Sequence, residues 1–223
     1  MKGLFITGTD TDVGKTHVAC AIVVALNKQG LRTSVMKPVA SGCVQTSDGL
    51  RNKDALKLMS VASVKQTYEQ VNPYAFEPAI APHLAAQQIG IDIQLDEIEK
   101  QYFKTAINAD VCVVEGVGGW MVPLNDEETM ADLNVRLQLP IILVVGMKLG
   151  CINHALLTIE QIEREALPIL GWVANHVDPN MHQAQENIQA LEQRIPYPLL
   201  GVIPNKKNTS AEDVSLCLQI PAL

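Results

Sequence analysis

Short runs rich in valine and isoleucine alternate along the chain with longer stretches in which apolar residues recur every three or four positions. The first pattern is typical of buried strands and the second of amphipathic helices. We predict strands near residues 3–7, 33–37, 110–115, 140–146, 169–174 and 198–203. Helices are expected between them, with apolar faces formed by Val18, Ile22 and Leu26, by Ala155, Ile159, Ile162 and Ala166, and by Ala184, Ile188, Leu191 and Ile195. This alternation predicts an α/β fold with a mostly parallel central sheet flanked by helices.

Two stretches interrupt the alternation and are predicted to be loops. Residues 71–83 contain Pro73, Pro78 and Pro82, and residues 41–52 are rich in serine, glycine and asparagine. No linker rich in proline, glycine and serine divides the chain, and 223 residues suit one large α/β domain. We therefore expect residues 1–223 to form a single domain.

Composition and charge narrow the class of protein. Hydrophobic residues make up 48% of the chain and charged residues 18%, which suits a buried core and argues against intrinsic disorder. The formal net charge is −7 without a long basic run, so no binding to nucleic acid or to an anionic membrane is expected. The five cysteines lack Cys-x-x-Cys spacing, and neither a signal peptide nor a membrane-spanning stretch is visible. We therefore expect a cytoplasmic protein with reduced thiols.

The stretch with the clearest chemistry is residues 8–16, which read GTDTDVGKT. It follows the first predicted strand and precedes the first predicted helix, as a phosphate-binding loop does. The match is a variant, since a strict pattern has glycine where this chain has Thr9. In such a loop the backbone N–H groups face the phosphates, Lys15 reaches the terminal ones and the Thr16 hydroxyl can bind Mg²⁺. The alternative is a glycine-rich turn with a solvated lysine.

Polar residues at the carboxyl ends of the predicted strands are further candidates, because ligands bind at this edge of an open parallel sheet. Lys37 ends the second strand and can stabilise a transferring phosphoryl group, or it simply extends to solvent. Glu115 ends the third strand and suits Mg²⁺, with a capping acid as the alternative. Asp54 alone suggests a helix cap, and Asn175 either contacts a purine edge or forms a turn.

Several blocks of sequence together resemble one family. They lie at residues 8–16, 37–42, 52–55, 71–74, 82–83, 114–120, 148–155 and 171–175. The combination of the loop with KPVASG at 37–42 and KLGCINH at 148–154 is far more specific than any one motif. On these blocks the chain is similar to ATP-dependent dethiobiotin synthetase, a family with the three-layer P-loop NTPase fold. In biotin biosynthesis that family closes a cyclic urea on 7,8-diaminopelargonic acid with CO₂ and MgATP, giving dethiobiotin, ADP and phosphate.

The resemblance implies a carbamate that attacks the γ-phosphate and forms a carbamic-phosphoric anhydride, from which the second amine expels phosphate. Because carbamate and γ-phosphate are both anions, positioned cations carry the catalysis. The implied catalytic residues are Lys37 beside the carbamate, Lys15 on the phosphates and Thr11 near both ligands. The implied Mg²⁺ ligands are Thr16, Asp54 and Glu115.

The resemblance also implies the remaining contacts. Residues implied to bind the nucleotide are Asp12, Val13, Gly14, Lys15, Thr16, His17, Asp54, Glu115 and Gly118, with Asn175, His176, Pro204 and Asn205 around the adenine. Residues implied to bind the diamine and its carboxylate are Ser41, Leu149, Gly150, Cys151 and Asn153. The last four form a pocket of backbone N–H groups at a helix start, which suits an anion and is supplied across a homodimer interface. A monomer is therefore expected to be nearly inactive.

Two features depart from the family pattern. The family loop usually carries glutamate where this chain has Asp12, so we expect a looser or water-bridged contact there. Residues 175–178 read NHVD and partly match the guanine-binding pattern of GTPases. This partial match favours mixed nucleotide use over strict GTP specificity.

Two other classes of protein compete with this hypothesis. Dimeric switch ATPases of the partitioning and cell-division-site type have an extra lysine early in the loop, where this chain has Thr9, Asp10 and Thr11. Many of them also end in a basic membrane-binding helix, whereas residues 211–223 contain neither lysine nor arginine. An amidoligase of corrinoid synthesis needs a glutamine-hydrolysing domain, for which this chain has no residues left. The synthetase is the preferred hypothesis, and the switch ATPase is the main alternative.

Overall fold

The structure is a computed structural model that describes residues 2–206 and 209–221. Its strands are β1 (Lys2–Gly8), β2 (Thr33–Met36), β3 (Val39–Ala40), β4 (Val44–Thr46), β5 (Gly49–Arg51), β6 (Tyr74–Ala75), β7 (Val111–Glu115), β8 (Ile141–Met147), β9 (Ile169–His176) and β10 (Leu199–Ile203). Its helices are α1 (Lys15–Lys28), α2 (Lys53–Val61), α3 (Tyr68–Val71), α4 (Pro82–Gln88), α5 (Leu95–Ala106), α6 (Met130–Leu137), α7 (Cys151–Arg164), α8 (Ala184–Glu192) and α9 (Ala211–Ser215). Within these ranges we find no helix that is both long and apolar enough to cross a bilayer.

Six strands form one parallel sheet in the order β10–β9–β8–β1–β7–β2. β1 lies near the middle, where Phe5 pairs with Val114 of β7 on one side and with Ile141 of β8 on the other. These are the six strands predicted from the apolar runs, and their ends lie within two residues of the predicted ones. The prediction of a mostly parallel central sheet is confirmed.

Helices cover both faces of this sheet. Along β1, Leu4 and Ile6 face one helical layer and Phe5 faces the other, because side chains alternate across a strand. The helices of the first layer are α1, α2, α3 and α9, and those of the second are α4, α5, α6, α7 and α8. Burial on both faces explains why the strands read as continuous apolar runs rather than as alternating ones. The result is the expected three-layer α/β architecture.

The stretches predicted as loops contain short regular elements. Residues 41–52 include an antiparallel hairpin of β4, which is exposed, and β5, which is partly exposed. Within residues 71–83, β6 pairs with β3 and α4 begins at Pro82. Strands of two or three residues are too short for a recognisable apolar pattern. Proline suits the start of a helix because the N–H group that it lacks has no helical partner there. Two predicted helix faces were too long, since Ala166 and Ile195 lie beyond the ends of α7 and α8.

Candidate active site

The loop of residues 8–16 joins β1 to α1 at the carboxyl edge of the central sheet. Gly14 is the N-cap of α1 with φ +87°, and a Cβ atom there would lie 2.1 Å from Asn175 Nδ2. No other residue fits without displacing Asn175, so glycine is required at this position. Asp12 also has a positive φ of 58°, which aspartate tolerates better than most residues. The strand, loop and helix predicted from the sequence are all present.

The side chain of Val13 anchors this loop to the sheet. It is buried between two glycines, because a Cβ atom on Gly8 would lie 2.6 Å from its Cγ2 atom and one on Gly146 would lie 2.7 Å from its Cγ1 atom. The glycines are in β1 and β8, two neighbouring strands. The absence of side chains at these two strand positions makes room for Val13 and holds the loop against the strand ends.

Lys15 is buried at the start of α1, and its Nζ atom donates a hydrogen bond to the Asp10 carbonyl oxygen at 2.8 Å. Burial is the main cause, and the nearby charge of Lys37 the second, of a lowered pKa of about 8 for Lys15. These surroundings disfavour the charged form of the lysine. A ligand with negative charge beside Nζ would reverse that effect.

Lys37 and Glu115 are buried and form a hydrogen-bonded group with Thr16, which is partly exposed. Lys37 Nζ donates to Glu115 Oε1 at 2.6 Å and to the Gly116 carbonyl oxygen at 2.8 Å. Thr16 Oγ1 donates to the same carboxylate oxygen at 2.8 Å. The second oxygen, Glu115 Oε2, is buried without a hydrogen-bond partner in the part of the chain that is described. Since an orphaned buried carboxylate oxygen is costly, it marks a place for a cation or a donor.

Asp54 lies in the first turn of α2 but is not its cap. The cap is Asn52, whose Oδ1 atom accepts hydrogen bonds from the backbone N–H groups of Asp54 and Ala55 at 2.9 and 3.2 Å. The interpretation of Asp54 as a helix cap is therefore wrong, because the residue two positions earlier performs that function. The Asp54 carboxylate lines the same cavity as Thr16 and Glu115.

Most of the predicted site residues line one cavity of about 780 Å³. This volume is within the usual range for small-molecule sites. The predicted residues that line it are Thr11, Asp12, Gly14, Lys15, Thr16, His17, Lys37, Ser41, Asp54, Glu115 and Gly118. The hydroxyl of Ser41 is buried there with no hydrogen-bond partner among the described residues. His17 is half-buried, and burial together with the charge of Lys57 lowers its pKa.

The cavity also includes residues that sequence reasoning missed. They are Ala40, Asn52, Lys57, Ala79, Ile80, Ala81, Pro82, Val117 and Val122. The position of Lys57 could have been predicted from the sequence, because it follows Asp54 by three residues and therefore shares its helix face. The apolar residues had no such signal, because their approach to the cavity depends on how three separate segments pack, namely β3, the loop before α4 and the loop after β7.

The candidates for adenine binding lie at the ends of β9 and β10, outside the cavity lining. Asn175 is buried and pairs with Ile203 across these strands, and its Nδ2 atom donates to the Val13 carbonyl oxygen at 2.8 Å. His176 ends β9, and Pro204 and Asn205 follow β10 directly. The four candidates therefore share the edge of the sheet on which the phosphate loop lies.

The candidates for carboxylate binding form the turn between β8 and α7. Gly150 is the N-cap of α7 with φ +94°, Cys151 is buried, and Leu149 is 95% exposed. They do not line the cavity of this chain, and neither does the exposed Asn153. Lys148 joins the turn to the phosphate loop, because its Nζ atom donates to Asp10 Oδ2 at 2.7 Å and thereby lowers the pKa of that carboxyl group.

The geometry of the loop and the cavity defines the class of protein. A phosphate-binding loop at the centre of a parallel sheet, with Lys15, Lys37, Asp54 and Glu115 among the residues around one cavity, is the arrangement of a P-loop nucleotide-binding protein. A family model described as "AAA domain" matches residues 2–213. Among solved structures, the septum site-determining protein MinD complexed with Mg-ADP from Pyrococcus horikoshii covers 97% of this chain and 93% of its own, at 16% identity and a TM-score of 0.60. At that identity the likeness concerns the fold alone.

Curated relatives give a narrower assignment. The ATP-dependent dethiobiotin synthetase BioD of Cellvibrio japonicus is 51% identical over 100% of this chain and 97% of its own length. The protein of the same name from Pseudomonas aeruginosa strain UCBPP-PA14 is 46% identical over 100% of this chain and 98% of its own. The chain belongs to the ATP-dependent dethiobiotin synthetase family.

Proposed function

We propose that this chain makes dethiobiotin from 7,8-diaminopelargonic acid and CO₂ at the expense of ATP, as a single domain that acts in homodimers. The observation that carries the proposal is the convergence of Lys15 and Lys37 on one cavity, in a member of this family. The two lysines come from different elements, since one begins α1 and the other follows β2. Two cations at one site suit a reaction in which two anions must meet.

The reaction proceeds in three bond-forming steps. One amine attacks CO₂ and loses a proton, which gives a carbamate. A carbamate oxygen then attacks the γ-phosphorus, the bond to the bridging oxygen breaks, and ADP leaves. The second amine attacks the carbonyl carbon of the resulting anhydride, and the urea ring closes as phosphate departs. The middle step brings two negatively charged groups to bonding distance, so positioning and charge neutralisation dominate catalysis.

Lys37 acts on the carbamate and Lys15 on the phosphates. Glu115 Oε1 and the Gly116 carbonyl oxygen hold Lys37 Nζ at 2.6 and 2.8 Å, which orients the ammonium group before any substrate arrives. Lys15 Nζ is held by the Asp10 carbonyl oxygen, a neutral acceptor that a phosphate oxygen can replace. Thr11, in the exposed part of the loop, lies at the mouth of the same cavity and contacts both ligands.

The residues present fit a bound Mg²⁺ ion. Thr16, Asp54 and Glu115 supply hydroxyl and carboxylate oxygens, the donors that Mg²⁺ prefers, and Glu115 Oε2 has no other partner among the described residues. No group of three His, Cys, Asp or Glu side chains able to hold a metal occurs in the same part of the chain, which agrees with an ion that relies largely on phosphate and water. When bound, the ion neutralises charge on the phosphates.

Asn175 favours ATP over GTP. Its Nδ2 atom donates one hydrogen bond to the Val13 carbonyl oxygen, which fixes the orientation of the amide, and its Oδ1 atom is an acceptor that can meet a base. An acceptor matches the amino group at position 6 of adenine and repels the oxygen at that position of guanine. With His176, Pro204 and Asn205, it forms the base site at the ends of β9 and β10.

The diamine binds between two chains. Ser41, whose hydroxyl lacks a partner among the described residues, contacts the reacting end of the diamine in the cavity. The substrate carboxylate binds to backbone N–H groups of Leu149, Gly150 and Asn153 of a second copy. The Cys151 N–H group donates to the Lys148 carbonyl oxygen at 3.0 Å, so Cys151 contributes by shaping the turn. The start of α7 suits an anion, and the 95% exposure of Leu149 suits burial against a partner.

The test is phosphate release from MgATP with bicarbonate, measured with and without 7,8-diaminopelargonic acid. We expect turnover only with the diamine, and a product with the mass of dethiobiotin. Replacing the diamine by a monoamine of the same chain length is the matched control, since it can form a carbamate but cannot close a ring. Hydrolysis of ATP that does not depend on the diamine would contradict the proposal and favour a switch ATPase.

A further inference from the structure

A chain of buried hydrogen bonds, which meets the cavity lining only at Asn52 among the described residues, converges on the hydroxyl of Tyr68, in α3. The hydroxyl accepts a hydrogen bond from the Asn52 backbone N–H group at 2.7 Å and donates one to Asn72 Oδ1 at 2.8 Å. All three residues are buried. The phenol thus joins two asparagines that lie on either side of it in the sequence, and we call these three residues the Tyr68 network.

The Asn72 side of this network holds Lys37. Asn72 Nδ2 donates to the Lys37 carbonyl oxygen at 2.7 Å and to the Tyr74 carbonyl oxygen at 3.0 Å. The Lys37 N–H group donates to the Val71 carbonyl oxygen at 2.8 Å. Because β2 ends at Met36, the strand ladder does not hold Lys37, and these bonds fix its backbone instead.

The Asn52 side holds two other residues of the cavity. Asn52 Oδ1 caps α2 through the N–H groups of Asp54 and Ala55, and its Nδ2 atom donates to the Ser41 carbonyl oxygen at 3.3 Å. The start of α2 and the turn that carries Ser41 therefore share one amide. The Oδ1 atom of this amide faces two N–H donors and its Nδ2 atom faces a carbonyl oxygen, so these contacts determine which way the amide is turned.

Two features keep the central phenol in place. Burial raises the pKa of Tyr68, so the hydroxyl stays protonated and can donate to Asn72. The guanidinium carbon of Arg51 lies 4.2 Å from the centre of its ring, which covers the ring on that side. A buried group whose polar atoms are hydrogen-bonded in this way is rigid, and it can fix the positions of the residues bonded to it.

We propose that Tyr68 is a positioning residue, whose hydroxyl sets the backbone of Lys37, Asp54 and Ser41 relative to one another through Asn72 and Asn52. The effect on rate rests on the proposed function, because Lys37 is taken to act on the carbamate. The effect on the geometry of the site is independent of the proposed function. Without the hydroxyl, the Asn52 N–H group and Asn72 Oδ1 lose their partner, and both sides of the network are free to shift.

The first experiment compares Tyr68→Phe with the wild-type enzyme. A small displacement of catalytic groups can lower a rate by about 100-fold, so we expect kcat for dethiobiotin formation to fall by about 10- to 100-fold. The KM for ATP should rise by a smaller factor than kcat falls, because in the described part of the chain no hydrogen bond of the network reaches the phosphate loop, and Asp54 is the one proposed nucleotide-binding residue that the network holds. Unchanged kcat would overturn the proposal.

The matched control is Tyr102→Phe. Tyr102 is a buried tyrosine in α5, in the other helical layer, and its hydroxyl makes no hydrogen bond among the described residues. Thermal unfolding of both variants, with kcat measured well below either midpoint, separates stability from positioning. A merely structural tyrosine would lower the midpoint and leave kcat per folded molecule unchanged, and that result for Tyr68→Phe would also overturn the proposal.

A crystal structure of Tyr68→Phe tests the geometry independently of the reaction. We expect Lys37 Nζ to move relative to Glu115 by more than about 0.5 Å, the tolerance within which catalytic groups work. If the wild-type enzyme made no dethiobiotin, the proposed function would fail while this displacement still tested the network. A Lys37 side chain that stays in place would overturn the network alone.

Discussion

At the scale of a residue, the charge of Lys15 depends on what lies beside its Nζ atom. Burial, helped by the nearby charge of Lys37, lowers its pKa to about 8, so above that pH the neutral amine prevails. ATP phosphates next to the amine restore the charged form. We predict that MgATP binding takes up a proton above about pH 8, and that apparent ATP affinity falls as pH rises further. Titration calorimetry in buffers of different ionisation enthalpy measures that uptake.

The control for this proton uptake is Lys15→Arg. A guanidinium group stays charged throughout this pH range, so the variant should bind MgATP, more weakly if its geometry differs, without taking up a proton. Equal uptake by the variant and the wild-type enzyme would assign the proton to another group, such as His17, and would contradict the prediction.

At the scale of elements, the phosphate loop depends on the packing of Val13 between β1 and β8. Gly146→Ala would place a Cβ atom 2.7 Å from Val13 Cγ1, so the loop must shift. We predict about tenfold weaker ATP binding, or about 1.4 kcal/mol, with the fold retained. The measurement is the Kd for ATP by calorimetry, with far-ultraviolet circular dichroism as the check on folding.

A second substitution distinguishes this clash from general damage to β8. Val13→Ala removes the Cγ1 methyl group that clashes with the new Cβ atom, so Gly146→Ala combined with Val13→Ala should bind ATP more tightly than Gly146→Ala alone. If the double variant instead loses ATP affinity by the sum of the two single losses, Gly146→Ala acts on ATP binding through a contact other than the one with Val13.

The same loop shows how far sequence reasoning extends. The six long strands were predictable because burial on both faces makes them continuous apolar runs, and a parallel sheet then locates Lys37 and Glu115 at one edge. The accommodation of Val13 by Gly146 was not predictable, since it joins residues from distant parts of the chain. The pairing of Lys37 with Glu115 Oε1, and the hydrogen bonds of Tyr68, depend on distances of a few tenths of an ångström that no residue pattern specifies.

At the scale of the whole molecule, the proposed site needs two chains, with the cavity from one and the turn of residues 148–153 from the other. Within one chain this turn does not line the cavity. Lys37→Ala removes the cation proposed to act on the carbamate and should abolish ring closure while ATP binding stays measurable. Gly150→Asp places a carboxylate in the turn that repels the substrate carboxylate, and aspartate tolerates the positive φ there better than most residues.

These two variants allow a complementation test. Each homodimer should be inactive, because both of its sites carry a defect. In a mixed dimer, one site combines both defects, and the other combines an intact cavity with an intact turn. If the chains reassort at random, half of the dimers are mixed and each has one working site, so about a quarter of wild-type activity should return. If one chain supplied the whole site, every chain in the mixture would be defective and activity would not recover.

Because reassortment itself can fail, native mass spectrometry of the mixture must first show the mixed dimer. With the mixed dimer present, the recovered activity decides whether the carboxylate turn acts across the interface or within its own chain.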